Sequence, residues 1–114
     1  MSTVWLADVR FRKRGWSYHE LGHFHRLVTI LWNSGLSLET DRGVTDEGDP
    51  WFVFCDDDSG DVFAHFARIS GKYVVCGPCL DGSLTGPVLR DLVERFVESL
   101  SRPSAGGRSA PAAG

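Results

Sequence analysis

The sequence predicts one α+β domain: a mostly antiparallel sheet of four to five strands with two amphipathic helices packed on one of its faces. Two observations support this prediction. Between residues 50 and 76, short runs rich in Val, Phe, Trp and Tyr alternate with turn residues, as consecutive antiparallel strands do. On both sides of this region, apolar residues recur every three to four positions, which is the period of an amphipathic helix. The predicted order of elements is β-α-β-β-β-β-α.

A first strand is predicted at residues 3–12, where apolar residues occupy every second position on one side. The first helix should follow Ser17, because Ser17 and Glu20 have the spacing of a capping box, in which each side chain accepts a hydrogen bond from the other residue's backbone. Its apolar stripe should end at Gly35, which can adopt the left-handed conformation that closes helices. The stripe consists of Leu21, Phe24, Val28 and Leu31.

Four further strands are predicted at residues 36–40, 51–55, 62–69 and 73–76. Pro50 lacks an amide donor, so the second of these strands should start at or just after it.

The third of these strands should follow a tight hairpin turn in which Gly60 supplies a positive φ. Its alternation places Phe63 and His65 on one face of the sheet, and Ala64 and Phe66 on the other. Since both faces carry apolar residues, we expect the face away from the helices to be covered too, by a second copy of the chain.

A second helix is predicted to begin at Pro87, because the missing amide of proline costs nothing at the first helical position. Its apolar stripe consists of Leu89, Leu92, Val93, Phe96, Val97 and Leu100. From residue 102 onward the chain is Pro, Gly, Ala, Ser and Arg, with no bulky apolar side chain to bury. We therefore expect a single domain at residues 1–101 and a flexible tail at residues 102–114.

Length and composition are those of a soluble cytosolic protein. The chain has 114 residues, of which 42% are apolar and 24% charged, and it contains no run of about 18 apolar residues that would span a bilayer. No secretory signal is visible at the N-terminus, so a cytoplasmic location is expected. Three cysteines without an export signal predict reduced thiols rather than a disulfide framework.

The net charge of −3 conceals an uneven distribution. Four basic residues cluster at positions 10–14, whereas nine acidic residues lie between positions 39 and 61 and predict one acidic end of the molecule. Aspartates are favoured in turns for local hydrogen bonding, which is the simplest explanation for these acids. The alternative is an interaction surface, whose candidate acidic residues are Asp46, Glu47, Asp49, Asp56, Asp57 and Asp58.

Cys76 and Cys79 enclose Gly and Pro in a Cys-x-x-Cys motif directly after a predicted strand. In redox enzymes the first thiol of such a motif sits at a helix N-terminus, which lowers its pKa. Here several residues separate the motif from the predicted helix. A turn with two buried cysteines is therefore the favoured interpretation over a redox site.

Zinc is a further alternative, since Cys76 and Cys79 have the spacing of half a tetrahedral site. His19 and His23 would complete it, because residues four apart on a helix project from the same side. His25 lies nearer the apolar edge of that helix and is expected to be packed. Zinc is the single cofactor that the sequence suggests.

Enzymatic activity is not expected. Residues 56–61 fail the calcium-loop pattern, since placing Gly60 at the sixth position puts Cys55 at the first. The strand at residues 62–69 lacks the acidic-x-Lys triplet of restriction-type nucleases, and no Ser/His/Asp or phosphate-loop spacing occurs.

Two segments resemble a group of small alphaproteobacterial proteins of uncharacterised function. These proteins share a Gly-x-x-Asp-Glu-Gly-Asp-Pro-Trp stretch, found here at residues 43–51, and a later His-x-Ala-Arg-Ile-x-Gly, found here at residues 65–71. The resemblance implies no particular activity. It singles out Trp51 and His65 as candidate interaction residues, although a buried and hydrogen-bonded His65 is expected.

The favoured function is a protein-interaction or dimerisation module, as a homodimer or with another protein. A structural zinc module and a double-stranded RNA-binding-like module remain alternatives, the latter because of the helix-strand-helix order. A further alternative is an acidic mimic of a nucleic-acid backbone. Direct nucleic-acid binding and membrane association are not expected.

Overall fold

The computed structural model describes residues 15–101, so the strand predicted at residues 3–12 and the tail predicted at residues 102–114 lie outside the described residues. Residues 15–101 form two helices and five strands. In order they are α1 (Tyr18–Asn33), β1 (Leu38–Val44), β2 (Pro50–Asp56), β3 (Val62–Ile69), β4 (Lys72–Cys76), β5 (Ser83–Gly86) and α2 (Leu89–Ser101). This architecture confirms the predicted α+β class.

The five strands form one antiparallel sheet in the order β1-β2-β3-β4-β5, so each strand pairs with its neighbour along the chain. β2 begins at Pro50, as predicted, and Gly60 in the turn before β3 has a φ of 79°. Two strand predictions are wrong. β1 extends to Val44 rather than ending near Thr40, and β5 lies in a segment that the sequence suggested was a loop.

α1 begins with the predicted capping box. The Ser17 hydroxyl accepts a hydrogen bond from the Glu20 amide at 3.1 Å, and the Glu20 carboxylate accepts one from the Ser17 amide at 2.8 Å. Gly35 follows the helix with a φ of 92°, which glycine adopts without steric cost. Local sequence signals therefore fix both ends of this helix.

α2 begins at Leu89 and not at Pro87. The difference has a simple cause. Gly86 still pairs with Tyr73 in the sheet, so the chain needs the next two residues to leave β5 and turn into the helix. The Val88 carbonyl then accepts a hydrogen bond from the Leu92 amide at 3.1 Å.

The core lies between the two helices and one face of the sheet, as predicted. Phe24 of α1 stacks on Phe52 of β2, with ring centroids 4.3 Å apart, and meets Phe66 of β3 edge-on at 5.2 Å. Phe96 of α2 meets Phe66 at 5.7 Å. Since a fully buried aromatic side chain stabilises a fold by about 1.5–3 kcal/mol, this aromatic cluster is a major contribution to stability.

A β-bulge at the start of β3 overturns the predicted position of Phe63. Phe54 pairs with Ala64 and Cys55 pairs with Val62, so Phe63 is an extra residue opposite β2. An extra residue interrupts the alternation of side chains between the two faces. Phe63 consequently packs edge-on against Phe96 at 6.0 Å, on the helix side of the sheet and away from His65.

Neither of the two helices in the described part of the chain is long and apolar enough to cross a membrane.

Candidate functional site: the open face of the sheet

Both helices pack on one face of the sheet, and the other face, called here the open face, is covered by no element among residues 15–101. The pairing register aligns its side chains in rows across the strands, because directly paired residues of antiparallel strands point to the same side. One row consists of Gly43, Trp51, Ala67, Val74 and Thr85. The adjacent row consists of Asp41, Val53, His65, Cys76 and Ser83.

The middle of the open face is apolar. Its apolar centre, defined as Trp51, Val53, Ala67 and Val74, occupies the three inner strands, and all four residues are half-buried. The open face also carries Val62 and Ile69, which are 46% and 47% exposed. Isolated exposed apolar residues are ordinary, but a contiguous apolar patch on a sheet is typical of an interaction surface.

Trp51 is held in place by contacts on both sides of its strand. A Cβ atom added to Gly43 would lie 2.5 Å from the indole Cζ2 of Trp51, so the indole lies directly over this glycine of edge strand β1. From the other side, Trp16 Nε1 donates a hydrogen bond to the Trp51 carbonyl at 3.0 Å. Gly43 and Trp16 therefore define the position of Trp51 within the apolar centre.

The β1 side of the open face is acidic. Glu39 and Asp41 project from β1 on this face, and the turns at the two ends of β2 contain the predicted acids at positions 46–49 and 56–58. Because these turns lie at opposite ends of β2, they do not form the single acidic end that was predicted. They form an acidic margin along one side of the sheet. Residues 15–101 contain 6 basic and 14 acidic residues, a net charge of −8.

One of the acidic candidates has a local structural role. The Asp56 carboxylate accepts hydrogen bonds from the Asp58 amide at 2.8 Å and the Ser59 amide at 3.0 Å. These bonds hold the pKa of Asp56 below its ordinary value. Asp56 thus shapes the hairpin turn, whereas Asp46, Glu47, Asp49, Asp57 and Asp58 are exposed or half-buried in the margin.

A buried polar network on the helix side, centred on Glu20, supports the strands of the open face. Arg68 Nη1 donates to both carboxylate oxygens of Glu20 at 2.8 Å, and the Tyr73 hydroxyl donates to Oε2 at 2.5 Å. Arg68 also donates to the Gly15 carbonyl at 3.1 Å and lies 5.6 Å from the Trp16 ring centroid. The network joins α1 to β3 and β4.

The electrostatics of this network follow from its contacts. Burial by itself would raise the pKa of Glu20, but hydrogen bonds from Tyr73, Ser17 and Arg68 and the charge of Arg68 outweigh it, so the pKa is lowered. Burial, together with the Glu20 carboxylate, raises the pKa of Tyr73. Sequence analysis missed this network, because Glu20 and Arg68 are 48 positions apart and no local pattern links them.

The four predicted zinc ligands do not come together. His19 and His23 are neighbours on α1, with ring centroids 4.9 Å apart, and they lie on the helix side of the sheet near Tyr73. Cys76 is at the far end of β4 and points to the open face. Among residues 15–101 no group of three or more His, Cys, Asp or Glu side chains could hold a metal ion. Each predicted pair, His19 with His23 and Cys76 with Cys79, has a spacing that suits a metal ion, but the fold places the two pairs on different sides of the sheet.

The expected burial of the cysteines and of two histidines is also wrong. Cys76 and Cys79 are exposed, since β4 ends at Cys76 and the following turn projects from the sheet. Partial burial raises the pKa of the thiol of Cys79, the second cysteine of the motif. His25 and His65 are both exposed, and His65 lies directly opposite Cys76 on the open face.

The structure therefore brings Trp51, His65 and Cys76 onto one surface bordered by the acidic margin, and it places His19 and His23 on the other side of the sheet. No family model, curated protein or solved structure matches this chain.

Proposed function

We propose that this chain is a non-catalytic protein-interaction domain that binds its partner through the open face of the sheet. One observation carries the proposal: the apolar centre lies on three adjacent strands and no element among residues 15–101 covers it. Burying apolar surface is favourable by roughly 25 cal/mol per Å², so a complementary apolar surface on a partner would gain free energy here. The free thiols of Cys76 and Cys79 are compatible with a reducing compartment, and we propose the cytosol.

Charge identifies the chemistry of the partner. The apolar centre is bordered by Glu39 and Asp41, and residues 15–101 have a net charge of −8. We therefore propose a protein segment in which apolar residues are accompanied by Lys or Arg, since complementary charge favours encounter and fixes orientation.

A second copy of the chain fits this surface less well. Stacking two open faces would bring two acidic margins together, and like charges placed opposite each other disfavour association. Packed sheets lie about 10 Å apart, slightly beyond the Debye length of about 8 Å at physiological salt, so this repulsion is weakened by salt but not abolished. Residues 15–101 of each copy have a net charge of −8. The same charge disfavours a nucleic acid as the ligand.

NMR titration of the full chain tests the proposal. The probe is a short peptide of alternating Val and Lys, and its control is the same peptide with Glu in place of Lys. We expect the lysine peptide to shift the amide signals of Val53, Ala67 and Val74, with at least about tenfold weaker binding of the glutamate peptide. Equal binding of both peptides, or shifts confined to the helices, would contradict the proposal.

Isosteric variants keep the test independent of folding. V53T/V74T preserves shape and strand propensity but removes apolar surface, and we expect it to weaken binding of the lysine peptide. V88T is the matched control, because Val88 is 44% exposed and lies outside the sheet. Native mass is measured in parallel. If the wild-type chain is a stable dimer and V53T/V74T is a monomer, the partner of the open face is a second copy of the chain and not a basic segment.

A further inference from the structure

A cavity of about 290 Å³ lies on the helix side of the sheet, away from the open face. It is bordered by the first turns of α1, by Tyr73 of β4 and by the segment from Pro87 to Arg90 that leads into α2. His19, His23 and Arg90 line it together. These are the two histidines that the sequence suggested as metal ligands, together with an arginine that the sequence did not single out.

Arg26 and Arg90 place positive charge close to His23 at the cavity. His23 is partly buried, and its pKa is lowered first by burial and then by the charges of His19, Arg26 and Arg90, with Glu20 acting in the opposite direction. Arg90 forms an ion pair with Asp91 at 3.9 Å, which is too long for a hydrogen bond, and both side chains are largely exposed, at 64% and 62%. Its guanidinium is therefore able to bind a ligand in the cavity.

Glu20 also lines the cavity but does not repel an anion strongly. Its carboxylate accepts hydrogen bonds from Arg68 and Tyr73 and from the Ser17 amide, so its negative charge is compensated within the protein. Because the Tyr73 hydroxyl donates a hydrogen bond to Glu20, it is already engaged within the cavity wall. The groups left to meet a ligand are two imidazoles and a guanidinium.

We propose that this cavity binds a small oxyanion, a phosphate or carboxylate group of a molecule of metabolite size, held by His19, His23 and Arg90. Charge-assisted hydrogen bonds from guanidinium and imidazolium donors suit such oxygens. Pro87, Val88 and Leu89 provide an apolar wall for the remainder of the molecule. Pockets of this kind, with few polar groups beside an apolar wall, are typical small-molecule sites.

A divalent metal ion is the competing ligand, since the two imidazoles are four residues apart. Two features disfavour it. Among residues 15–101 no group of three or more His, Cys, Asp or Glu side chains could hold a metal ion, so the two imidazoles have no third ligand here. Arg26 and Arg90 would repel a cation, as they already act on protonated His23.

NMR titration of the histidine ring signals of the full chain distinguishes these ligands. The probes are inorganic phosphate, acetate and Zn²⁺, each added alone. We expect phosphate or acetate to shift the His19 and His23 signals and to raise the pKa of His23, because a bound anion stabilises the imidazolium. Binding of acetate, which stays ionised over this range, should weaken by at least about tenfold between pH 5.5 and pH 8 as His23 loses its proton. The anion that binds more tightly shows whether the cavity prefers a phosphate or a carboxylate group.

The variants R90Q and H23Q should each weaken anion binding by at least about tenfold, the loss expected for one charge-assisted hydrogen bond. R95Q and H25Q are the matched controls, since both residues are exposed on the same helices and do not line the cavity. Absence of anion-dependent shifts at His19 and His23, or equal shifts at His25, would overturn the proposal. So would Zn²⁺ binding that exceeds anion binding and strengthens in R90Q. Anion binding in this cavity does not depend on the open face, so a failure of the open face to bind peptides would not contradict it.

Discussion

At the scale of single residues, Glu20 has the most consequential position in the described chain. It caps α1, pairs with Arg68 of β3 and accepts from Tyr73 of β4, so one carboxylate joins three elements. Polar groups that are buried and fully hydrogen-bonded specify a unique arrangement, and removing one partner leaves the others unsatisfied.

E20Q is expected to destabilise the protein by about 2–4 kcal/mol, because an amide cannot replace the charge that Arg68 faces and cannot accept at both positions. Chemical denaturation measures the loss. The control is E94Q, an exposed glutamate on α2 whose replacement should change stability by less than about 0.5 kcal/mol. Equal effects of the two variants would show that the network is dispensable.

Acid should remove this contribution from the wild type. The folded-state pKa of Glu20 lies below its ordinary value of 4.5, so its stabilising effect is complete above pH 4.5 and is lost as pH falls through the lower, folded-state pKa. The stability difference between wild type and E20Q should therefore be constant near neutrality and shrink in acid. A difference that grows on acidification would have the wrong sign.

At the scale of elements, the contact between edge strand β1 and Trp51 governs the open face. G43A should destabilise the protein by about 1–3 kcal/mol, because the new methyl group occupies the space of the indole and Trp51 must move. Thermal or chemical denaturation measures this.

G22A is the matched control for G43A. Gly22 lies inside α1, and a Cβ atom there would meet nothing within 4 Å, so this substitution should stabilise by about 0.5–1 kcal/mol. In a W51A background the cost of G43A should largely disappear. If G43A still destabilises the protein in the W51A background, the destabilisation arises from another contact of β1 and not from the indole.

Elements whose signals are local could be predicted, and those that depend on distant partners could not. The Ser17–Glu20 capping box fixed the start of α1, and the apolar stripe of α2 predicted that helix. β5 was missed because Ser83–Gly86 is a short run among turn residues that becomes a strand by pairing with β4. Phe63 was assigned to the wrong face because no local sequence pattern predicts the β-bulge at the start of β3.

The candidate site was predictable in composition but not in arrangement. Alternation in the strand at residues 62–69 indicated two apolar faces, and the resemblance to other sequences singled out Trp51. Which face the helices would cover, however, depends on packing across the whole sheet. The zinc hypothesis failed for the same reason. Two correctly spaced pairs cannot reveal from sequence whether the fold brings them together.

At the scale of the whole molecule, charge should limit stability at low ionic strength. Residues 15–101 have a net charge of −8, compared with −3 for the full chain, and their acids lie largely along one margin. Adding sodium chloride shortens the Debye length from about 30 Å at 0.01 M to about 3 Å at 1 M. We expect the unfolding temperature of the full chain to rise by roughly 4–8 °C, equivalent to about 1 kcal/mol. A fall with added salt would mean that favourable ion pairs outweigh the repulsion within the acidic margin.

The consecutive strand order also bears on how the chain reaches its native state. Each pair of hydrogen-bonded strands in the sheet is consecutive in sequence and is joined by a short connection. Closing a short loop costs little chain entropy. Glu20 and Arg68, by contrast, meet across 48 positions. We therefore expect the hairpins to form first during refolding and the helices to dock on the sheet afterwards. Docking of α1, which brings Glu20 to Arg68, should be the late and slow step.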